Sequence, residues 1–107
     1  MTFSNRRDSH RIDYVTDVVI THEGNTIAAY CLNIGHGGMF VSCPPLPLGA
    51  TVRVKFELPD LKEPVDTEAV VRWNVREPRR GVGLQFCGLR AIEVWGINQI
   101  FRQQARD

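Results

Sequence analysis

Thr51-Val52-Arg53-Val54-Lys55-Phe56-Glu57-Leu58 alternates strictly between polar and apolar residues, and Pro59 ends the run. Successive side chains of a strand point to opposite faces. Val52, Val54, Phe56 and Leu58 therefore share one face, and Thr51, Arg53, Lys55 and Glu57 the other. A strand of this kind is half buried and needs neighbours with the same pattern.

Those neighbours lie on both sides. Downstream, Val65, Thr67, Ala69, Val71, Trp73 and Val75 form one face, and Asp66, Glu68, Arg72 and Asn74 the other, interrupted by Val70. After the turn Glu77-Pro78-Arg79-Arg80-Gly81, the residues Val82, Leu84 and Phe86 alternate with Gly81, Gly83 and Gln85. Glycine inside a strand indicates curvature or a close approach by another group. Upstream, Tyr14 to Thr21 and Thr26 to Leu32 read as a hairpin about Glu23-Gly24-Asn25, and Met39-Phe40-Val41-Ser42 as a short strand. The proline-rich stretch Pro44 to Gly49 separates that strand from the next, since proline cannot donate to a ladder. The period changes at the end. Leu89, Ile92, Val94, Ile97, Ile100 and Phe101 recur at helical spacing, so residues 90–104 read as an amphipathic helix. Gly96 weakens its propensity, and the missing side chain there allows close packing.

The expectation is a mainly β fold: a six-stranded antiparallel barrel capped by a C-terminal α-helix, occupying residues 13–107. Closure hides the sheet edges, and the helix stripe covers an open end. A β-sandwich with a docked helix is the competing arrangement. Residues 1–12 are polar and arginine-rich, and read as a flexible arm.

With 107 residues the chain has room for one modest core. The formal net charge is +1, which argues against a binder of nucleic-acid polymers. Its basic residues cluster, however, with Arg6, Arg7 and Arg11 at the start and Arg72, Arg76, Arg79 and Arg80 later. A local anion site is compatible with the near-neutral total. No apolar run is long enough to cross a membrane and no signal peptide is evident, so a soluble, cytoplasmic protein is expected. Cys31, Cys43 and Cys87 lack C-x-x-C spacing and read as free thiols in a reducing compartment. They form no ligand set with His10, His22 and His36, so neither a metal nor a cofactor is expected. Ser9 adjoins His10 without an oxyanion cradle, and no nucleophile–base–orienter set appears; an enzyme is not expected.

Two segments carry binding chemistry. Arg7-Asp8-Ser9-His10-Arg11 reads R-x-x-x-R. At this even spacing an extended arm projects both guanidinium groups to one side. Each can pair bidentately with a phosphate, match the O6/N7 edge of guanine, or stack on a base. A solvated basic tail is the plain alternative. The second segment, Asn33-Ile34-Gly35-His36-Gly37-Gly38, reads N-x-G-x-x-G. The Asn33 amide can donate and accept along a base edge. Gly35, Gly37 and Gly38 permit positive φ and leave backbone N–H groups uncovered, as in an anion cradle. A tight connection between strands is the plain alternative here. His36 is expected to point to solvent, with a base contact as the other option. Trp73 and Trp95 are expected in the core or against the helix rather than as platforms for a base.

Taken together with the strand pattern, these segments resemble the PilZ domain family, bacterial receptors for cyclic di-GMP. That family combines an R-x-x-x-R arm, a D/N-x-S-x-x-G loop and a six-stranded barrel with a C-terminal helix. The resemblance covers about residues 6–104. It includes the Pro45-Leu46-Pro47-Leu48-Gly49-Ala50-Thr51 turn, the Val70-Val71-Arg72-Trp73 strand and the Gly81-Val82-Gly83-Leu84-Gln85-Phe86 strand. It implies that Arg7 and Arg11 hold guanine edges and phosphates of an intercalated ligand dimer, and that Arg6 adds a phosphate contact. Asn33 takes the guanine-reading position, and Gly38 the final glycine where the backbone passes close to the ligand.

Gly35 departs from the pattern, standing where the family has serine. A lost hydrogen bond of this kind is worth roughly 0.5–1.5 kcal/mol, or 1.5–3 with a charged partner. The resemblance implies a stand-alone receptor or adaptor, a monomer or weak dimer without membrane insertion. Ligand would order its arm and pass the signal to an unidentified protein effector. The alternative is a PilZ-like interaction module that no longer binds the nucleotide and acts in motility, pilus, biofilm or surface-polysaccharide control.

Overall fold

The computed structural model describes residues 11–77 and 79–105. Alternation of apolar and polar side chains is carried out over most of its length. β1 (Ile12–His22), β2 (Asn25–Ile34), β3 (Gly38–Ser42), β4 (Thr51–Phe56), β5 (Val65–Val75) and β6 (Gly81–Cys87) precede α1 (Ala91–Ala105). The six strands close into an antiparallel barrel in the order β1-β2-β3-β6-β5-β4, with β4 returning to β1. Closure excludes the sandwich alternative. Of the arm expected over residues 1–12, Ile12 opens β1, Arg11 precedes it, and residues 1–10 lie outside the described residues.

The predicted inward faces fill the barrel. Val52, Val54, Phe56 and Leu58 are buried, as are Val65, Thr67, Ala69 and Val71 on the strand beside them. They meet Ile34, Met39, Val41, Val82 and Leu84 from the opposite wall. At about 25 cal/mol per Å² this apolar burial is the main stabilising term. The β1–β2 hairpin turns through Glu23 and Gly24, both at positive φ (52° and 82°). Such a two-residue turn matches the right-handed strand twist.

Three irregularities depart from simple alternation. Pairing slips between Asp13 and Thr16 in β1, between Cys31 and Asn33 in β2, and between Val71 and Trp73 in β5. A bulge places two residues opposite one and reverses which face the following side chains occupy. In β5 the extra residue turns Trp73 outward, so the expectation of a core position for Trp73 fails: the residue is 43% exposed. Gly83 pairs with Trp73, and a Cβ there would overlap the indole ring. Gly81 makes the same allowance for the Phe40 ring. The glycines of β6 thus accommodate two aromatic rings lying against the outer wall.

Helix α1 closes one end of the barrel through Ile97 and Ile100, both buried. Gly96 faces Leu58 and Leu61, whose side-chain carbons lie 3.0–3.1 Å from the position a Cβ would take. Trp95 is not core either; it remains 44% exposed at the helix edge beside a groove lined by Leu61 and Ile92. The first turn is capped by Glu93, whose buried carboxylate accepts from the Arg90 backbone N–H (2.8 Å) and the Arg90 guanidinium (3.0 Å). This is the glutamate half of a capping box. A second side chain secures the proline-rich loop: Asn74 accepts from Leu46 N–H (3.1 Å) and donates to the Leu46 carbonyl (2.9 Å).

Candidate functional site: an arginine, an asparagine and an indole on the outer barrel wall

Arg11 enters β1 from the arm, at the point where β1 meets the end of β2. Its Nη1 donates to Asn33 Oδ1 at 3.4 Å, joining the two sequence segments across 22 positions. Its guanidinium carbon also lies 5.4 Å from the centroid of the Trp73 ring, within range of a cation–π interaction. Burial lowers the Arg11 pKa from its ordinary value, and the neighbouring Cys31 thiol opposes this. A guanidinium begins so far above neutrality that it stays charged. A fixed cation is thus held between an amide and an aromatic face. Asn33 pairs with Phe40, which extends the same outer wall.

The glycine loop leads out of Asn33 and Ile34. Gly35 N–H donates to Gly38 C=O at 2.9 Å, and Gly37 C=O accepts from Phe86 N–H at 2.8 Å. The loop is therefore tied both to itself and to β6. Gly38 is needed for a different reason than the sequence suggested. Among the described residues, positive-φ glycines are Gly24, Gly49 and Gly88, none of them in this loop. Gly38 instead lies so close to the Leu84 carbonyl and Gln85 Cα that a Cβ has no space. Gly37 faces open space.

His36 is exposed, as expected, but also makes two contacts with α1. Its Nε2 is hydrogen-bonded to Asn98 Oδ1 at 2.6 Å, with the Nε2-protonated ring as donor. The ring lies 5.0 Å from that of Phe101 at 31°. On the neighbouring wall, Arg72 donates through Nε to Gln85 Oε1, and Gln85 pairs with Gly38. Arg6 and Arg7 lie outside the described residues. The structure brings together Arg11, Asn33 and the loop 35–38.

Trp73, expected in the core or against the helix rather than as a platform for a base, lies instead on the outer wall beside Arg11. Two signals for it were present: the glycines at alternate positions of β6, which leave room for large groups on the outer face, and the break in alternation at Val70. The bulge that joins them leaves no sequence mark of its own.

Cys31 lies beneath the site, and its Sγ–H donates to the Asn33 carbonyl at 3.4 Å. Burial pushes its thiol up to about 12, with Arg11 and the backbone hydrogen bond opposing the rise. The thiolate is the reactive form. At pH 8 a maleimide is therefore expected to label the exposed Cys87 and spare the buried Cys31 and Cys43. Mass spectrometry of the native protein should show one adduct per chain; rapid double labelling would contradict the burial of these thiols. Among the described residues no group of three His, Cys, Asp or Glu side chains is placed to hold a metal ion, and no helix is long and apolar enough to cross a membrane.

A closed six-stranded barrel with a terminal helix, carrying an arginine and an Asn–Gly loop on its wall, defines a class. The PilZ domain family model matches residues 5–103, and the chain belongs to that family. Among solved structures, the Bacillus subtilis inhibitor of motility (MotI/DgrA) superposes with a TM-score of 0.80 at 28% identity. That match covers 91% of this chain and 50% of MotI, so the chain spans half the length of that relative. Borreliella burgdorferi PlzA, solved in complex with cyclic di-GMP, gives a TM-score of 0.65 at 13% identity over 83% of this chain and 38% of its own. The PilZ domain of CeSA from a cellulose-synthesizing bacterium gives 0.61 at 14% identity over 85% of this chain and 93% of its own. The latter two likenesses concern the fold. No curated protein is similar enough in sequence to match.

Proposed function

We propose that the chain is a cyclic di-GMP receptor whose site is the outer wall around Arg11, Asn33 and Trp73. The observation that carries this reading is the position of Arg11, held 3.4 Å from Asn33 Oδ1 and 5.4 Å from the Trp73 centroid. A guanidinium, an amide edge and an aromatic face are the groups needed to read a guanine and neutralise a phosphate. The indole offers a base a stacking surface, an interaction worth about 1–3 kcal/mol. Arg7, and Arg6 beside it, would complete the phosphate contacts from the arm. Ligand binding would draw the arm onto the barrel, an ordering step that a protein effector could read. The likeness to MotI favours motility control as the output, and the complex of PlzA favours this ligand.

Calorimetric titration with cyclic di-GMP tests the proposal, and no heat at high micromolar ligand with folded protein would refute it. Gly35 favours a second reading, an interaction module in which nucleotide binding has been lost. Gly35→Ser separates the two. In a weakened receptor the restored hydroxyl is expected to tighten binding about threefold to a hundredfold, the equivalent of one hydrogen bond. If neither wild type nor Gly35→Ser binds, the interaction-module reading stands.

A further inference from the structure

His36 is the one side chain within the four-residue stretch Gly35-His36-Gly37-Gly38 that extends beyond the backbone. It attaches to α1. The attachment has two parts, the hydrogen bond to Asn98 at 2.6 Å and the ring contact with Phe101 at 5.0 Å. A second link ties the same helix to the root of the arm. Gln104 Nε2 donates to the Asp13 carbonyl at 2.7 Å, two residues beyond Arg11. Both segments that flank the proposed site are thus anchored on one helix.

A loop rich in glycine has more backbone freedom to lose than any other, so ordering it opposes binding. An anchor that orders the loop beforehand removes part of that cost. We infer that His36 is a positioning residue that latches the ligand loop to α1, so that the state of the loop and the state of the helix are coupled. This rests on the cyclic di-GMP reading of the loop. Coupling of this kind is reciprocal: whatever loosens the helix contact weakens the ligand, and bound ligand strengthens the helix contact.

Asn98 gives the decisive test, because it is exposed on α1 and belongs to the latch rather than to the ligand patch. Wild type, His36→Ala, Asn98→Ala and Asn98→Asp are compared by amide hydrogen exchange and by cyclic di-GMP calorimetry. Loss of the one hydrogen bond in Asn98→Ala is expected to weaken ligand affinity roughly threefold to tenfold. Exchange at His36 and Gly37 should accelerate, with no change at Val54 and Thr67 on the far wall. Asn98→Asp keeps an acceptor oxygen for the ring and should restore both. His36→Ala should match Asn98→Ala or exceed it, since it also loses the Phe101 contact. Unchanged loop exchange and affinity in Asn98→Ala would overturn the latch. If wild type takes no cyclic di-GMP, the ligand reading fails, and ligand-free exchange still decides the latch: faster loop exchange upholds it, and unchanged exchange overturns it.

Discussion

Arg11→Ala is expected to lower cyclic di-GMP affinity about a hundredfold while leaving the barrel folded. A hydrogen bond from a guanidinium to a phosphate or a guanine edge is worth about 1.5–3 kcal/mol, and stacking of the guanidinium on a base adds about 0.5–1. Their loss together is about 3 kcal/mol, and each 1.4 kcal/mol is roughly tenfold in affinity. Stability should change little, because Arg11 sits at the edge of the wall and the core behind it is apolar. Arg11→Lys keeps the charge without the planar fork and should fall between wild type and alanine. Calorimetry beside a urea melt separates binding from folding. Retention of affinity within about threefold in a folded Arg11→Ala protein would remove this residue from the site.

Gly38→Ala is expected to be the most disruptive single change in the loop, and for a reason unrelated to ligand. An added Cβ would meet Gln85 Cα at 3.2 Å and overlap the Leu84 carbonyl, both of them backbone atoms of the paired strand. No side-chain rotation can relieve such a contact. Overpacking in a well-packed region costs about 1–3 kcal/mol, and this one should reach or exceed the upper figure. For a domain of this size the melting temperature should fall by roughly 10–20 °C. Gly37→Ala is the control. The space around it is open and its φ is not positive, so its stability should stay within about 0.5 kcal/mol of wild type. Equal melting temperatures for the two variants would show that β3 and β6 do not approach as closely as the barrel requires. Loss of ligand binding in Gly38→Ala alone would therefore say nothing of a ligand contact.

The same contrast shows what kind of information each motif residue carries. Asn33 and Arg11 were recognisable as binding groups because their chemistry is carried in side chains, and the structure places those side chains together. Gly37 and Gly38 look alike in sequence. One is indispensable to the pairing of β3 with β6 and the other is unconstrained by its surroundings. A glycine reports only that a side chain is missing; what would have occupied the space depends on residues nearly fifty positions away. His36 is exposed, as expected, but its hydrogen bond and ring contact were not legible for a related reason. An imidazole between glycines has no local partner, and its partners Asn98 and Phe101 come from α1.

Alternation and the final change of period are local properties, set by which side of a strand or helix each residue faces. They were sufficient to assign six strands, the terminal helix and the inward sets that fill the barrel. The family pattern likewise lay in the chain itself, as did the serine missing at Gly35. Tertiary structure decided the rest. The bulge between Val71 and Trp73 inverts the strand, moves the indole from the expected core to the outer wall, and places it beside Arg11. Such a bulge arises from the register between two strands, a relation that neither strand encodes alone. The joining of Arg11 to Asn33, and of the glycine loop to α1, follows from closure of the barrel and the docking of its helix.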